Sequence, residues 1–429
     1  MLKYTPFDKD LHAIEAVDLA SLKQASEGWY IEYKREVPDA TSIAKSISAF
    51  ANTYGGWLFY GIEEESKENP VAGAFPGISR ADVDPALQRM RQAVAGQVNP
   101  SPHFESKVIW GPCDAIGLPA DRAIVCAQVP WSPNAPHVHK KGCIYRRVAD
   151  GSEARPENDR FILDQLWHRA DDIRRQYKEW HDRDPEFSEA ESKQTYVRLL
   201  LVADLWLDRG AWLEAGDADV RAILGEKQGM LSAIPFDTVY TSADGFVGRQ
   251  LANNDPHNLT LTWRLRRALV SEVLIPLPLY TPSGPELLRR EMHGYDNIGR
   301  FVDILHRYKH ASPRVVDLNY LFNVLIGVVE IQRRLTAKAT WIHGFFAKAK
   351  LLNAWRTTPF IDVPAILDSF ETFGLPMCLN ASVTSPRGTD PDTFVEVPEY
   401  TQLESESARI LVQAFTIFSP IARAFGIPP

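Results

Sequence analysis

Apolar and polar positions change their spacing several times along the chain, and each change predicts a different element. Leu11, Ile14, Val17, Leu19 and Leu22 suit a short helical lead running to about Ala25. In Trp29-Tyr30-Ile31-Glu32-Tyr33-Lys34, alternation puts Tyr30, Glu32 and Lys34 on one face of a strand. Beyond the break at Pro38-Asp39-Ala40-Thr41, helical spacing from Ser42 to Phe50 aligns Ile43, Ile47 and Phe50. Asn52-Thr53-Tyr54-Gly55-Gly56 ends that helix, since Asn and Gly tolerate a left-handed backbone. Trp57 to Ile62 is a continuous apolar run of strand length, as expected of a strand covered on both faces, and it delivers Glu63, Glu64 and Glu65.

Ala86 to Val98 predicts a helix closed by Asn99-Pro100-Ser101-Pro102, and Glu105 to Trp110 and Arg122 to Val129 predict strands. Trp131 to Pro136 reads as a rigid loop before a strand at Cys143 to Val148, and Arg155 to Asp182 as one long helix with Phe161, Leu163, Leu166 and Ile173 on its apolar side. The acidic stretch Asp182 to Glu191, containing Pro185, is the predicted domain boundary, giving domains 1–182 and 183–429. Further on, Tyr196 to Trp206 is apolar without a decisive period, while Leu259 to Trp263 and Val273 to Pro276 are strand-like. Val315 to Leu335 and Ser405 to Phe418 are helical by period, and helices are expected around the aromatic residues Trp341, Phe345, Phe346 and Trp355. The fold class is therefore α+β: a mixed sheet with packed helices first, then a mostly helical domain with a few strands.

Composition narrows the function classes. At 429 residues and 45% hydrophobic content the chain can bury more than one core. There is no run of about 18 uninterrupted apolar residues, and the opening Met-Leu-Lys-Tyr-Thr-Pro lacks the apolar stretch of a signal peptide, so a soluble cytoplasmic protein with no membrane partner is expected. Cys113, Cys126, Cys143 and Cys378 form no Cys-x-x-Cys pair, which argues against a disulfide framework or zinc ribbon. A net charge of −8 opposes coating of nucleic acid by the whole surface, so any such binding must be local.

Candidate chemistry begins at Glu32-Tyr33-Lys34, where positions i and i+2 of a strand place a carboxylate and an ammonium on one surface. Such an acid-x-lysine pair can hold a metal ion and neutralise a phosphate, although an ordinary exposed strand has the same appearance. The pair lies within an ordered series: Glu27-x4-Glu32-x-Lys34, then Ala49-Phe50-Ala51-Asn52-Thr53-x-Gly55-Gly56, then Gly61-Ile62-Glu63-Glu64. Downstream follow Val129-x2-Ser132-x3-Pro136-His137 and Gly142-x2-Tyr145-x-Arg147. This series resembles the Schlafen AlbA-type family over about residues 20 to 165.

The resemblance implies a nuclease or nucleic-acid-binding domain. In the nuclease members three acidic positions bind divalent metal and support cleavage of tRNA-like RNA or single-stranded DNA. Carried over, they fall on Glu27, Glu32 and Glu64, with Lys34 beside them; a glutamate replaces the commoner aspartate at the third, which leaves Glu63, Glu64 and Glu65 as alternatives. Oxygen-only ligands suit Mg2+ or Mn2+. The implied activity is a metal-dependent endonuclease acting on RNA or single strands, for which antiviral defence would be a fitting setting. The alternative is a non-catalytic DNA-binding regulator or nucleic-acid sensor, with the glutamates in ion pairs with Lys34, Arg35 or Arg147.

Lys140, Lys141, Tyr145, Arg146 and Arg147 form a candidate nucleic-acid-binding hairpin, extended by Arg80, Arg89 and Arg91. No element suited to reading a base sequence is evident, which favours structured RNA or single strands. His137 and His139 do not share a recognised zinc spacing with the cysteines, and no Gly-x4-Gly-Lys-Ser/Thr phosphate loop occurs. Eukaryotic members use two related lobes, and only one copy of the motifs is present, so a homodimer is expected by analogy.

Overall fold

Residues 4–7, 9, 11–148, 153–205, 216–251, 257–266, 269–338 and 344–427 are described by the computed structural model. They form two compact units, the first ending at Ile173 and the second starting at Arg174. Both combine helices with sheets, as α+β requires. No helix among the described residues is long and apolar enough to cross a membrane.

The first unit opens with 3-10 turns at Leu11–Ala13 and Ala16–Gln24. Then come β1 (Ile31–Lys34), α1 (Ala40–Asn52), β2 (Gly56–Tyr60), β3 (Glu63–Glu64), β4 (Ala72–Ala74), β5 (Ile78–Ser79) and α2 (Arg80–Gln97). After them follow β6 (Val98–Asn99), β7 (Glu105–Trp110), β8 (Arg122–Val129), β9 (Val138–His139), β10 (Cys143–Arg147), β11 (Ala154–Pro156) and α3 (Arg160–His168). The main sheet runs β1-β2-β8-β5, with β7 also on β8; β1 and β2 are parallel and the other pairings antiparallel. A second sheet has the order β11-β10-β9-β6.

Both faces of the main sheet are covered, which is why β2 reads as an unbroken apolar run. On one face Leu11, Ile14, Leu19 and Leu22 of the lead pack with Ile31, Tyr33, Trp57 and Phe59. On the other, Ile43, Ile47 and Phe50 of α1 and Met90 and Val94 of α2 pack with Leu58, Tyr60 and Val125. Glu32 is in register with Leu58, and Lys34 with Tyr60, so alternation turns both charged side chains toward the helix-covered face.

The single helix expected from Arg155 to Asp182 is replaced by β11, α3 and α4 (Asp171–Asp182). Of its expected apolar side Leu166 is buried, whereas Phe161 is exposed. The division between the units falls earlier than Asp182 because Tyr177 and Trp180 of α4 pack on Phe394 and Arg198 of the second unit.

In the second unit β12 (Thr195–Val202), α5 (Asp217–Leu224), β13 (Thr238–Ser242), β14 (Gly245–Arg249), β15 (Thr262–Arg266) and β16 (Val270–Leu277) come first. Next are β17 (Leu279–Tyr280), α6 (Glu286–Glu291), α7 (Ile298–Arg307), β18 (Val315–Asp317), α8 (Leu318–Thr336), β19 (Gly344–Leu352) and β20 (Thr358–Phe360). The unit closes with α9 (Pro364–Phe373), β21 (Ser382–Ser385), β22 (Val395–Pro398) and α10 (Glu406–Ala424).

Its central sheet has eight strands in the order β13-β14-β15-β16-β12-β19-β21, with β22 also on β19, so strand is more abundant here than the sequence pattern suggests. Phe345 and Phe346, expected in a helix, lie in β19, Trp355 lies beyond that strand, and Trp341 lies outside the described residues. The reason is alternation hidden by burial. Phe345, Ala347, Ala349 and Leu351 enter the core, while Lys348 and Lys350 on the other face are also buried, bonded to Thr393 and to Asp184.

Candidate nucleic-acid site

β1 is an edge strand, and its unpaired backbone groups need partners. Glu27 supplies one, its Oε1 accepting from the Tyr33 N–H. Arg147 supplies another, reaching from β10 to donate through Nη2 to the Ile31 carbonyl at 3.2 Å. Its Nε also donates to the Gly28 carbonyl at 2.9 Å, and its Nη1 to Glu32 Oε2 at 2.8 Å. The guanidinium lies 4.7 Å from the centre of the Phe50 ring. Glu32 Oε1 in turn accepts from Ser46 Oγ of α1 at 2.9 Å.

Lys34 completes the cluster. Its Nζ is 3.4 Å from Glu32 Oε1 and 3.7 Å from Glu27 Oε1, and it donates to the Tyr33 carbonyl at 2.9 Å. Glu27 and Glu32 are both buried, Lys34 only partly. Burial raises the Glu27 carboxyl from its ordinary value; Lys34 and the Tyr33 N–H oppose the rise, and the negative charges of Glu32 and Glu64 add to it. Burial lowers the pKa of Arg147 against the pull of Glu32 and Glu27, but a guanidinium remains protonated.

The phrase Ala49-Phe50-Ala51-Asn52-Thr53 acts as the fastening of this arrangement. Asn52 Nδ2 donates to the carbonyls of His137 and Tyr145, each at 3.0 Å, and its Oδ1 accepts from the His137 N–H. Thr53 Oγ1 accepts from the Arg147 N–H at 2.9 Å. The end of α1 therefore holds β10 where Arg147 can reach β1. Gly55, at φ +76°, and Gly56 follow because a Cβ would lie 2.7 Å from the Trp131 nitrogen in the first case and 2.4 Å from the Phe50 ring in the second.

Of the expected binding hairpin, only Lys140 and Lys141 are exposed. Arg147, expected on the surface, is fully buried because it neutralises Glu32 and caps the edge of β1. Arg146 is taken by Glu157 at 2.6 Å, and the Tyr145 ring is buried edge-on to His139, with Lys45 Nζ 5.6 Å from its centre. None of these three offers a free phosphate contact or stacking face. Arg35, Arg89 and Arg122 instead line a cavity of about 490 Å³ between the end of β1 and α2. Arg35 also pairs with Glu63 at 3.1 Å. Arg122 and Ser46 were not singled out by sequence; for Ser46, its position on the face of α1 opposite Glu32 was the available signal.

The expected metal ligands can be tested on the same contacts. Carboxylate oxygens suit Mg2+ or Mn2+, but among the described residues no group of three or more His, Cys, Asp or Glu side chains is placed to hold an ion. Both Glu32 oxygens are engaged, and the Lys34 ammonium lies against both Glu27 and Glu32. Glu64 is half-buried in β3, paired with Ala72 through the backbone, and its carboxylate has no hydrogen bond or ion pair to another described residue. As arranged, the three glutamates do not fit a shared metal ion.

Comparison with known proteins bears on the same segment. Residues 27–156 match the family model described as Schlafen, AlbA_2. No curated protein matches the sequence. Among solved structures, the DIP2311 protein from Corynebacterium diphtheriae is similar at 17% identity and a TM-score of 0.22, covering 38% of this chain and 35% of that one. The match spans about a third of that protein's length, and a likeness this weak carries no argument. The family match and the ordered motifs together make residues 27–156 a Schlafen AlbA-type domain, a domain type associated with nucleic acid.

Proposed function

We propose that residues 27–156 bind RNA or single-stranded nucleic acid through its phosphates, without themselves cutting it. Lys140 and Lys141, and the cavity lined by Arg35, Arg89 and Arg122, are the contacts. The Glu27, Glu32 and Lys34 cluster is the rigid frame behind them. The observation that carries this reading is the internal neutralisation of the cluster: Lys34 and Arg147 already answer the buried carboxylates, while Lys140 and Lys141 are exposed and the cavity cations, Arg35 with Glu63 and Arg89 with the Val37 and Pro38 carbonyls, are held at the surface. Arginine suits phosphate because its planar fork donates two parallel hydrogen bonds. The local placement of these cations also reconciles phosphate binding with a net charge of −8.

A second reading is favoured by Glu64, whose carboxylate has no described partner and whose charge acts on Glu27. In it, Mg2+ or Mn2+ held by Glu27, Glu32 and Glu64 would support endonuclease action, and Lys34 would first have to leave its carboxylates.

One experiment separates the two. Labelled tRNA, single-stranded DNA and duplex DNA are incubated with the protein in Mg2+, in Mn2+ and in chelator, and both binding and integrity are followed. The binding reading expects retention in chelator and a salt dependence whose log–log slope falls by about 1.4 in Lys140→Ala/Lys141→Ala, since each single-strand phosphate contact contributes about 0.7. Metal-dependent fragmentation that disappears in Glu64→Ala would establish the second reading in its place.

A further inference from the structure

The second unit presents a cationic groove on the face of its central sheet that points away from the core. Phe246, Trp263, Leu265 and Val273 turn inward. Their neighbours in sequence therefore face outward and line a groove of about 670 Å³ that includes Tyr240, Arg249, Arg264 and Arg266. Register places the three arginines in a row. Arg249 on β14 is opposite Thr262 on β15, and Arg264 and Arg266 continue along β15 in steps of two residues. The step from Arg264 to Arg266 is about 6.6 Å along the strand, and Arg249 lies one strand over, on a diagonal of about 8 Å from Arg264, spacings comparable with the separation of successive phosphates in an extended single strand. Tyr240 lies on the row of Arg264 through Val247 and is 46% exposed, so its ring face is open to a base.

The charge balance of the groove favours an anion. Glu272 is the carboxylate opposite Arg264, but its Oε1 accepts from Arg198 Nε at 2.8 Å. No carboxylate among the described residues forms an ion pair with Arg264 or Arg266, and Asp244 is the remaining acid of the lining. Arg249 donates to the Asn258 carbonyl at 2.8 Å and also feels the negative charge of Glu191, so Arg264 and Arg266 are the cations of the row with no ion pair among the described residues.

We infer that this sheet face is a second nucleic-acid contact, taking single-stranded RNA or DNA with successive phosphates on Arg249, Arg264 and Arg266 and a base stacked on Tyr240. The inference rests on the reading of the chain as a binder of single strands, and extends it to residues outside the Schlafen AlbA-type domain. Backbone contacts and a single stacking ring give no base code, so the groove accepts single strands with little sequence preference.

The test uses the full chain and a fluorescent single-stranded oligouridylate, with polarisation measured over a salt series. Arg264→Ala/Arg266→Ala lowers the log–log salt slope by about 1.4, and Tyr240→Ala weakens binding about fivefold or more while leaving the slope unchanged. Crosslinking with an iodouracil-substituted oligonucleotide puts label on the peptide containing Tyr240. If Lys140→Ala/Lys141→Ala weakens binding while the double arginine variant and Tyr240→Ala bind like the parent, this inference is overturned and the first-unit reading stands. If the groove variants weaken binding and Lys140→Ala/Lys141→Ala does not, the reverse holds. A slope unchanged in the double arginine variant, with the Tyr240 peptide unlabelled, overturns the inference irrespective of the first unit.

Discussion

Arg147 shows how far one residue can depart from its sequence context. Among Lys140, Lys141 and Arg146 it reads as part of a basic surface, and the sequence offers it only as one of three cations, with Lys34 and Arg35, that could pair with the glutamates; its partner is Glu32, 115 positions earlier. Removing one member of a buried ion pair leaves the other charge without compensation and typically costs about 3–5 kcal/mol, whereas replacing both by apolar groups can be nearly neutral. Arg147→Ala is therefore expected to lose about 3–5 kcal/mol in urea unfolding of the first unit, and Glu32→Leu/Arg147→Met to recover most of that loss. A single variant as stable as the parent would show that the pair is not what holds β10 against β1. The other half of the site was readable: alternation in residues 29–34 does put Glu32 and Lys34 on one face, because strand geometry is local.

At the scale of elements, the junction between α1 and the β9–β10 hairpin carries a pH dependence. His137 Nδ1 lies 2.6 Å from the Pro100 carbonyl, so that nitrogen holds a proton, while its buried Nε2 has no hydrogen-bond partner among the described residues. Burial lowers the pKa of His137 below its ordinary 6.5; the Pro100 carbonyl opposes this, and Arg169 adds to it. The unfolded chain consequently takes up a proton first as pH falls, and folded stability is lost below about 6.5 while remaining level above it. Unfolding midpoints at pH 7.5 and 5.0 should fall further in the parent than in His137→Gln, and equal falls would remove His137 as the cause.

Legibility of the elements followed the length and period of their apolar runs. β1, β7 and β8 were evident from pattern and β2 from its apolar run, but β12 is buried along its whole length, and such a run has no period by which strand and helix can be told apart. The helix expected through residues 155–182 shares its apolar spacing with α3 and α4, and spacing alone does not mark the break between them.

For the whole molecule, the decisive fact is that, among the described residues, each unit has a core of its own. Phe7 to Val129 supply both cores of the main sheet in the first unit, and Val197 to Ile427 supply the large core of the second. Cooperative unfolding follows a shared core, so calorimetry should resolve two transitions, with Arg147→Ala lowering only one of them. A single transition lowered as a whole would mean that the units unfold together. The distance in sequence between Glu32 and Arg147 has a further consequence during synthesis. Glu32 emerges from the ribosome well before Arg147, and at about 5–20 residues per second the delay is on the order of ten seconds. Through that interval β1 and β2 can pair, but the carboxylate behind them has no guanidinium to answer it. The first unit is therefore expected to remain a chaperone client until residue 147 has been made, and to close only then.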